Sequence, residues 1–417
     1  MTKSVIVVGG SIAGLMHGLQ HKRKGNDVTI IEQEPGQRAS QDAGIGFGAE
    51  VNEFLKKYDL TGSQIAIRSH SQRVAYYKRP QVHTTQTSLK LTSWGLLYRL
   101  LRVNFDGLAS AAFPVPPKEH ESNGRATYLT GKKVVSLYYS SGVVTVRFID
   151  VETGKEEQLS GDLLIGADGI HSTIRRLVGT PSVEQYVGYV SWRGTVEEAL
   201  VSKETVRYFT DWLCMNITKN GYLVGYIVPT DDGNFTPGQR LINLVWYCNM
   251  RDRSPELDET FTDINEKKHQ KTVPRGLVRA EVWDRARRRA RGKVAEPFAE
   301  VLEKVQRPFV TRIHDAFSSA SSFHDGHVVL VGDAFSSFRP HAATATEQAA
   351  FHSNTLEKVY TGEMTQEAWD REVLVYARRM ILLNRLIGNF GRGALTPFLQ
   401  AVFLYFIFVL QQKLRRA

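Results

Sequence analysis

Three segments of this chain end an apolar run in glycine, two of them with an aspartate in the turn and one with Glu32 at the end of the next strand, a pairing that holds phosphates and sugars. In the middle, Leu163-Leu164-Ile165 feeds Gly166-Ala167-Asp168-Gly169, with Ser172 and Arg175 following at helical spacing. A carboxylate and a tight turn therefore stand where a strand hands over to a helix. Near the start, Ser4-Val5-Ile6-Val7-Val8 runs into Gly9-Gly10-Ser11-Ile12-Ala13-Gly14. A dinucleotide loop wants glycine at its first, third and sixth places, for the turn, for backbone approach to the pyrophosphate and for helix packing. The third place is Ser11, small enough to fit and able to donate its hydroxyl to a phosphate. Glu32, about eighteen residues beyond Gly14, reaches a ribose 2′-hydroxyl and repels a 2′-phosphate, which favours the adenosine of FAD or NAD over that of NADP. Gln33 beside it is counted with the cofactor contacts. Finally, Val328-Val329-Leu330-Val331 ends in Gly332-Asp333-Ala334, followed by Phe338-Arg339-Pro340-His341 and Ala342-Ala343-Thr344-Ala345-Thr346. An aspartate there can hold a ribityl hydroxyl, and a helix starting in the small residues can aim its amides at the electron-rich edge of a flavin.

These residues need a particular scaffold. The continuous run Ser4 to Val8 reads as a central parallel strand, with a helix to about Lys24 and a second strand at Val28–Ile31. Val134–Tyr139 and Val143–Phe148, around Ser140-Ser141-Gly142, predict a hairpin in a small β-meander. Strands at Tyr186–Arg193, Val206–Tyr208, Cys214–Thr218, Tyr222–Val228 and Leu241–Tyr247 predict a sheet domain rich in aromatics: Tyr189, Trp192, Tyr208, Phe209, Trp212, Tyr222, Tyr226, Trp246 and Tyr247. Such a sheet can wall a planar substrate, although most of its rings belong to the core. Arg193, on an otherwise apolar strand, needs either a substrate oxygen or an internal carboxylate. The expected fold is α/β: a Rossmann-like FAD-binding domain in two parts, residues 1–180 (meander at about 130–150) and 311–360, an inserted sheet domain over 181–310 for substrate, and C-terminal helices over 361–417.

An apolar fraction of 42% is that of a soluble globular protein, which excludes disorder and fibres. Cys214 and Cys248 allow at most one bridge and read as inert core thiols of a reducing compartment. A strand running straight into the glycine loop leaves no room for a signal peptide, so the chain reads as cytoplasmic. Part of the net charge of +10 lies in Arg285, Arg287, Arg288, Arg289, Arg291 and Lys293. These spread around a helix without interleaved aromatics, which argues for a solvated face and against nucleic acid. No histidine–carboxylate set with metal-ligand spacing, no Gly-x-Ser-x-Gly elbow and no internal repeat is present.

The glycine loop, Asp-Gly segment and Gly-Asp segment in this order resemble the single-component FAD-dependent aromatic hydroxylases typified by para-hydroxybenzoate hydroxylase. Tyr189-Val190-Ser191-Trp192-Arg193-Gly194 with Arg339-Pro340-His341 is most similar to the 2,6-dihydroxypyridine 3-monooxygenase branch. The resemblance implies non-covalent FAD, NADH or NADPH as co-substrate, and an electron-rich aromatic or enolic small molecule hydroxylated with O2 through a C4a-hydroperoxyflavin. It implies that Gly9, Ser11, Ile12, Ala13 and Gly14 wrap the pyrophosphate, and that Glu32 binds the adenosine ribose and Asp333 the ribityl chain. Asp168 and Gly169 would serve both FAD and the passing nicotinamide. Gly46 lies in the small-residue loop Ala43–Gly46 near the flavin ring, and Ala343 in the helix start. Pro340 faces flavin and substrate; His341 is a candidate base or a loop-shaping residue; Arg193 completes the catalytic set. Two departures stand out. The last motif is Ala-Ala-Thr-Ala-Thr where relatives are glycine-rich, and Trp94 stands where many carry an arginine, leaving Arg99 or Arg102, with Arg99 preferred, as the phosphate-contacting base. Oxidative decarboxylation, epoxidation and Baeyer–Villiger insertion use the same machinery, and a membrane-tethered flavin protein without turnover is the reading from another class.

The C-terminus is apolar from Leu395 to Leu410 and closes on Lys413, Arg415 and Arg416. That run is shorter than the roughly twenty residues that span a bilayer. It predicts a helix that caps the fold, forms a homodimer interface, or attaches residues 395–417 to a membrane surface.

Overall fold

The computed structural model describes residues 2–38, 43–78, 83–86, 88–181 and 185–414. Val5 to Val8 are buried, and Ser4–Val8 takes the middle of a six-stranded sheet. Its parallel neighbours are Asp27–Ile31 and Leu163–Gly166, with Ala126–Leu129 beyond the first and Val328–Leu330 beyond the second. Ser322–Phe323 closes the far edge antiparallel. Because Val8 stands opposite Gly166, and Gly166 opposite Leu330, the three motif turns leave the same edge side by side. The expected meander is present: Lys132–Ser140 and Val143–Asp150 turn through Ser141 and Gly142 at φ 50° and 81°, the two-residue hairpin geometry, and Glu156–Gly161 adds a third strand.

The second sheet runs in the order Thr272–Val273, Phe309–Phe317, Gln185–Glu197, Leu241–Asn249, Gly221–Val228, Trp212–Thr218, Ser71–Tyr76, His83–Gln86. It draws two strands from ahead of residue 181 and carries one across residue 310, because Ser71–Tyr76 pairs parallel with Trp212–Thr218 and a parallel partner is reached only by a long crossover. The expected strand at Val206–Tyr208 is instead part of a helix, Lys203–Phe209. The Ser202 hydroxyl accepts the Thr205 N–H and caps its first turn, which outweighs the local β preference.

Strand parity divides the aromatic residues. Val190, Trp192, Leu244, Trp246, Leu223 and Ile227 point into a core with Phe209, Trp283 and Phe298. Alternate residues point to the opposite face, where Tyr189, Tyr222, Val245 and Tyr247 cluster. Cys214 and Cys248 are free and buried, as expected of core thiols.

Three helices end the chain: Ala345–Tyr360, Gln366–Gly391 and Leu395–Leu414. The first starts three residues later than the small-residue run predicts, since Ala343 holds φ at +52°, a left-handed conformation no helical turn includes. The basic cluster on Ala280–Ala290 is a paired surface: Arg285 meets Glu259, Arg287 meets Asp284 and Glu303, and Arg289 meets Glu256.

Candidate active site

Gly9, at φ +102°, passes so close to the Ala167 carbonyl that a Cβ would collide with it, and a Cβ on Gly14 would strike the Gly9 carbonyl. The glycine pattern is thus enforced by the crossing of this loop with the Asp168 turn. Ser11 precedes the helix Ile12–Arg23 but makes no side-chain cap bond, which leaves its hydroxyl available to a phosphate. Ala13 packs where a Cβ of Gly332 would stand, joining the first loop to the third motif.

Asp168 accepts Thr173 N–H at 2.6 Å and Ile174 N–H at 3.2 Å, together with the Ser172 hydroxyl. Its carboxylate is therefore spent on the N-terminus of the short helix Thr173–Leu177, while the space beside Gly169, at φ +76°, is open. Arg175 donates to Ala334 O at 2.8 Å and to Ile170 O, tying the Asp-Gly and Gly-Asp segments together from a buried position. Asp333 lies at the other end of that tie. Among the described residues its carboxylate accepts no hydrogen bond, and burial, only partly opposed by Arg175, pushes its pKa up to about 6.

Glu32 accepts Gly10 N–H at 2.8 Å and Arg38 Nη2 at 2.8 Å on one oxygen, and Glu34 N–H at 2.9 Å on the other, which keeps a lone pair for a ribose hydroxyl. Gln33 beside it is exposed. Arg38 also lies over the Trp94 ring at 5.8 Å, so a cation does sit beside Trp94, supplied by another segment. Arg99 pairs with Asp232 at 3.1 Å. Arg102 is held by Asp106 and stacks 3.7 Å over Tyr128, whose hydroxyl donates to Gly10 O at 2.8 Å. Of the two arginines, the one linked to the glycine loop is Arg102.

Gly44–Phe47 pairs with Lys90–Ser93 and brings its small residues under the second sheet. Gly44 N–H donates to Asn243 Oδ1 at 2.8 Å, and Tyr226 also fills the space of its missing side chain. A Cβ on Gly46 would stand 3.2 Å from that of Ala343. Asn243 Nδ2 is buried with no hydrogen-bond partner among the described residues, an orphan donor beside this loop. With the free Ser11 hydroxyl, the open Gly169 turn and the unpartnered Asp333 carboxylate, these groups fit the pyrophosphate, ribityl chain and polar ring edge of FAD.

His341 lies across from them, half-buried. Tyr189 Oη approaches its Nε2 at 2.6 Å and Tyr222 Oη its Nδ1 at 2.5 Å. Burial, then Arg392, Arg339 and Arg193, hold its pKa well below the usual imidazole range, so the ring is neutral, giving a hydrogen bond to one tyrosine and receiving one from the other. Tyr247 donates to Pro340 O at 2.6 Å. Burial pushes the Tyr247 phenol up to about 12, opposed by a hydrogen bond with Arg193. Arg193 stands across from Val245 in the pairing of Gln185–Glu197 with Leu241–Asn249, and among the described residues it has no carboxylate partner. Arg339, by contrast, is held by Asp315 at 2.7 and 2.8 Å.

Patterning alone does not single out Asn384, on the helix Gln366–Gly391, or Asn243. Each is one amide in an ordinary helix or strand, and only its buried position beside a motif loop marks it. Among the described residues no group of histidine, cysteine and carboxylate side chains is arranged to hold a metal. Two solvent-open surface grooves, one lined by Ser202, Thr205, Arg287 and Glu303 and the other by Tyr76, Tyr77 and Lys293, share no residue with this site.

Residues 186–315 match the family model described as FAD binding domain-like. The chain is 28% identical over 362 residues to 2,6-dihydroxypyridine 3-monooxygenase of Paenarthrobacter nicotinovorans, covering 86% of this chain and 83% of that protein. The structure of 2,6-dihydroxypyridine-3-hydroxylase from Arthrobacter nicotinovorans superposes with a TM-score of 0.79 at 26% identity, over 94% of each chain. Klebsiella pneumoniae HpxO complexed with FAD and uric acid shares the fold, with a TM-score of 0.66 at 19% identity over 96% of this chain and 92% of that one.

Proposed function

From the premise that this chain is an FAD-dependent monooxygenase of the single-component aromatic hydroxylase group, we propose that it hydroxylates a small electron-rich ring in anionic form, a phenolate or enolate, against the sheet face bearing Arg193. One observation carries this reading: Arg193 is a guanidinium on an apolar strand that, among the described residues, faces the Tyr247 and Tyr226 phenols and the neutral His341 but no carboxylate. A cation so placed with no carboxylate of its own favours an anion arriving from solution. Ionising the ring raises electron density at the carbon to be attacked, so one arginine both orients the substrate and activates it.

When bound, FAD passes electrons from NADH or NADPH to O2 and delivers one oxygen atom to the substrate. Gly9, Ser11, Ile12, Ala13 and Gly14 would hold its pyrophosphate, Glu32 the adenosine ribose, Asp333 the ribityl chain, and Gly46, Asn243 and Ala343 the ring surroundings. Asp168 acts through the helix it caps, presenting the open turn at Gly169. His341 is a positioning residue, because both ring nitrogens are engaged by Tyr189 and Tyr222 and its proton affinity is depressed. Pro340 is fixed toward the same space by the Tyr247 bond to its carbonyl. The tyrosines exclude water from that face, so reduced oxygen is not lost as peroxide.

The test is a screen of phenols, hydroxypyridines and related enols for stimulation of NAD(P)H oxidation by the yellow holoenzyme, with product mass read out. Gain of one oxygen with all carbons retained supports hydroxylation; loss of carbon dioxide points to oxidative decarboxylation. If Arg193→Met leaves KM and coupling for the best substrate unchanged, the proposed role of Arg193 is wrong.

A further inference from the structure

We propose that the helix Leu395–Leu414 docks this enzyme flat on an anionic membrane surface. The helix has 20 residues and is long and apolar enough to cross a bilayer by length and composition. It does not stand clear of the fold, however. Ala401 and Phe408 are buried, and Arg378 of the preceding helix lies 5.8 Å from the Phe408 ring, so one side of the helix is fastened along its length.

The opposite side carries Leu395, Leu399, Val402, Phe403, Phe406 and Leu410, all exposed, with Phe403 at 63% and Phe406 at 65%. Their spacing of three and four places them on a single stripe. Soluble surfaces rarely leave so continuous an apolar strip in water without a partner.

Charge identifies the occupant. From Val373 to Ala417 the sequence has seven lysines and arginines and no aspartate or glutamate. Arg378 and Arg379 are exposed on the neighbouring helix, and Lys413 is exposed at the end of the stripe. Arg415 and Arg416 follow in sequence and lie outside the described residues. Lys413 in line with the stripe, and no acid in the sequence after Glu372, match acyl chains beneath anionic headgroups. A second copy of the chain matches less well. The stripe, about 24 Å long, belongs to a helix with no acid for a second copy's Lys413 to meet. Pairing it with itself would also bring like charges together.

Docking here would bear on the site. A Cβ on Gly388 would strike the His341 ring, one on Gly391 would strike Tyr222, and Arg392 stacks 4.1 Å over Tyr189. The segment leading into the docking helix thus forms one wall of the tyrosine–histidine cluster.

Vesicle flotation of the FAD-loaded full chain decides the matter, using phosphatidylcholine vesicles with and without phosphatidylserine. The expected result is flotation with the anionic vesicles, weakened by salt and reduced about a hundredfold in the double variant Phe403→Ser, Phe406→Ser, which should remain yellow and monomeric. Any of these results would overturn the proposal: no flotation with either vesicle, equal flotation of the double variant, or a concentration-dependent dimer that the variant abolishes while vesicles are ignored. Resistance of the cell-membrane fraction to alkaline carbonate would overturn it in favour of a spanning helix.

Discussion

Asn384 Oδ1 accepts the backbone N–H of His341 at 3.0 Å and that of Ala342 at 2.9 Å, so one buried amide holds the loop between the Gly-Asp motif and its helix. Its Nδ2 donates to Thr344 Oγ1 at 3.0 Å and to Met380 O at 2.9 Å, leaving none of its polar capacity idle. Asn384→Leu should therefore leave the Ala342 N–H unpaired and the His341 N–H with only its turn bond to Arg339 O, at a cost of about 1–3 kcal/mol. In the surviving holoenzyme we expect a shifted flavin absorption band and more hydrogen peroxide per NAD(P)H oxidised. Asn384→Asp, which keeps the acceptor, should restore most of the coupling. Equal coupling in the leucine variant would refute the loop-holding role.

Within that loop Ala343 sits at φ +52°, where a β-carbon is strained. Ala343→Gly should stabilise the protein by about 1 kcal/mol, read as an upward shift of the thermal midpoint. An unchanged or lower midpoint would mean that the loop relaxes without the side chain.

Asp333 has a pKa pushed up to about 6 by burial, with no hydrogen-bond donor of its own among the described residues. Hydroxyls of a ribityl chain donate best to the ionised form. FAD affinity should thus decline as pH falls below about 6 and the carboxylate protonates. Asp333→Asn should weaken FAD binding by about tenfold to a hundredfold at neutral pH, from the loss of a charge-assisted bond. Fluorescence titration of the apoprotein measures both.

Burial holds His21 and His352 near pKa 3, against an ordinary value of 6.5. Each stays neutral in the fold while the unfolded chain takes up a proton, so stability is intact above pH 6.5 and erodes as pH falls toward 3. At about pH 4.5 each should cost roughly 2–3 kcal/mol, visible as a falling urea midpoint. His17 is buried between them in charge terms, and among the described residues neither of its ring nitrogens has a hydrogen-bond partner. His17→Leu should raise stability at neutral pH by about 1–2 kcal/mol and flatten the acid limb; an unaltered limb would show that His17 plays no part in it.

The sequence by itself determined the cofactor half. Each of its motifs is a contiguous strand–turn unit, with the acid in the turn at Asp168 and Asp333 and at the end of the next strand at Glu32, and the parallel pairing of Ser4–Val8 with its neighbours necessarily sets those turns along one edge. Local chemistry and strand register suffice for that, as they do for the meander turn at Ser141-Gly142. Only the tertiary structure decided the arrangement of the second sheet, because its residues come from distant strands and their surroundings depend on which face of the sheet they occupy. Parity separates Tyr189, Tyr222 and Tyr247 from Trp192 and Trp246, which composition cannot. Folding likewise engages both nitrogens of His341, leaves Arg193 without a carboxylate among the described residues and sets Asn384 under the loop. The same holds for the last helix: its apolar run is plain in sequence, yet which side is fastened and which faces water follows from packing against the helix before it.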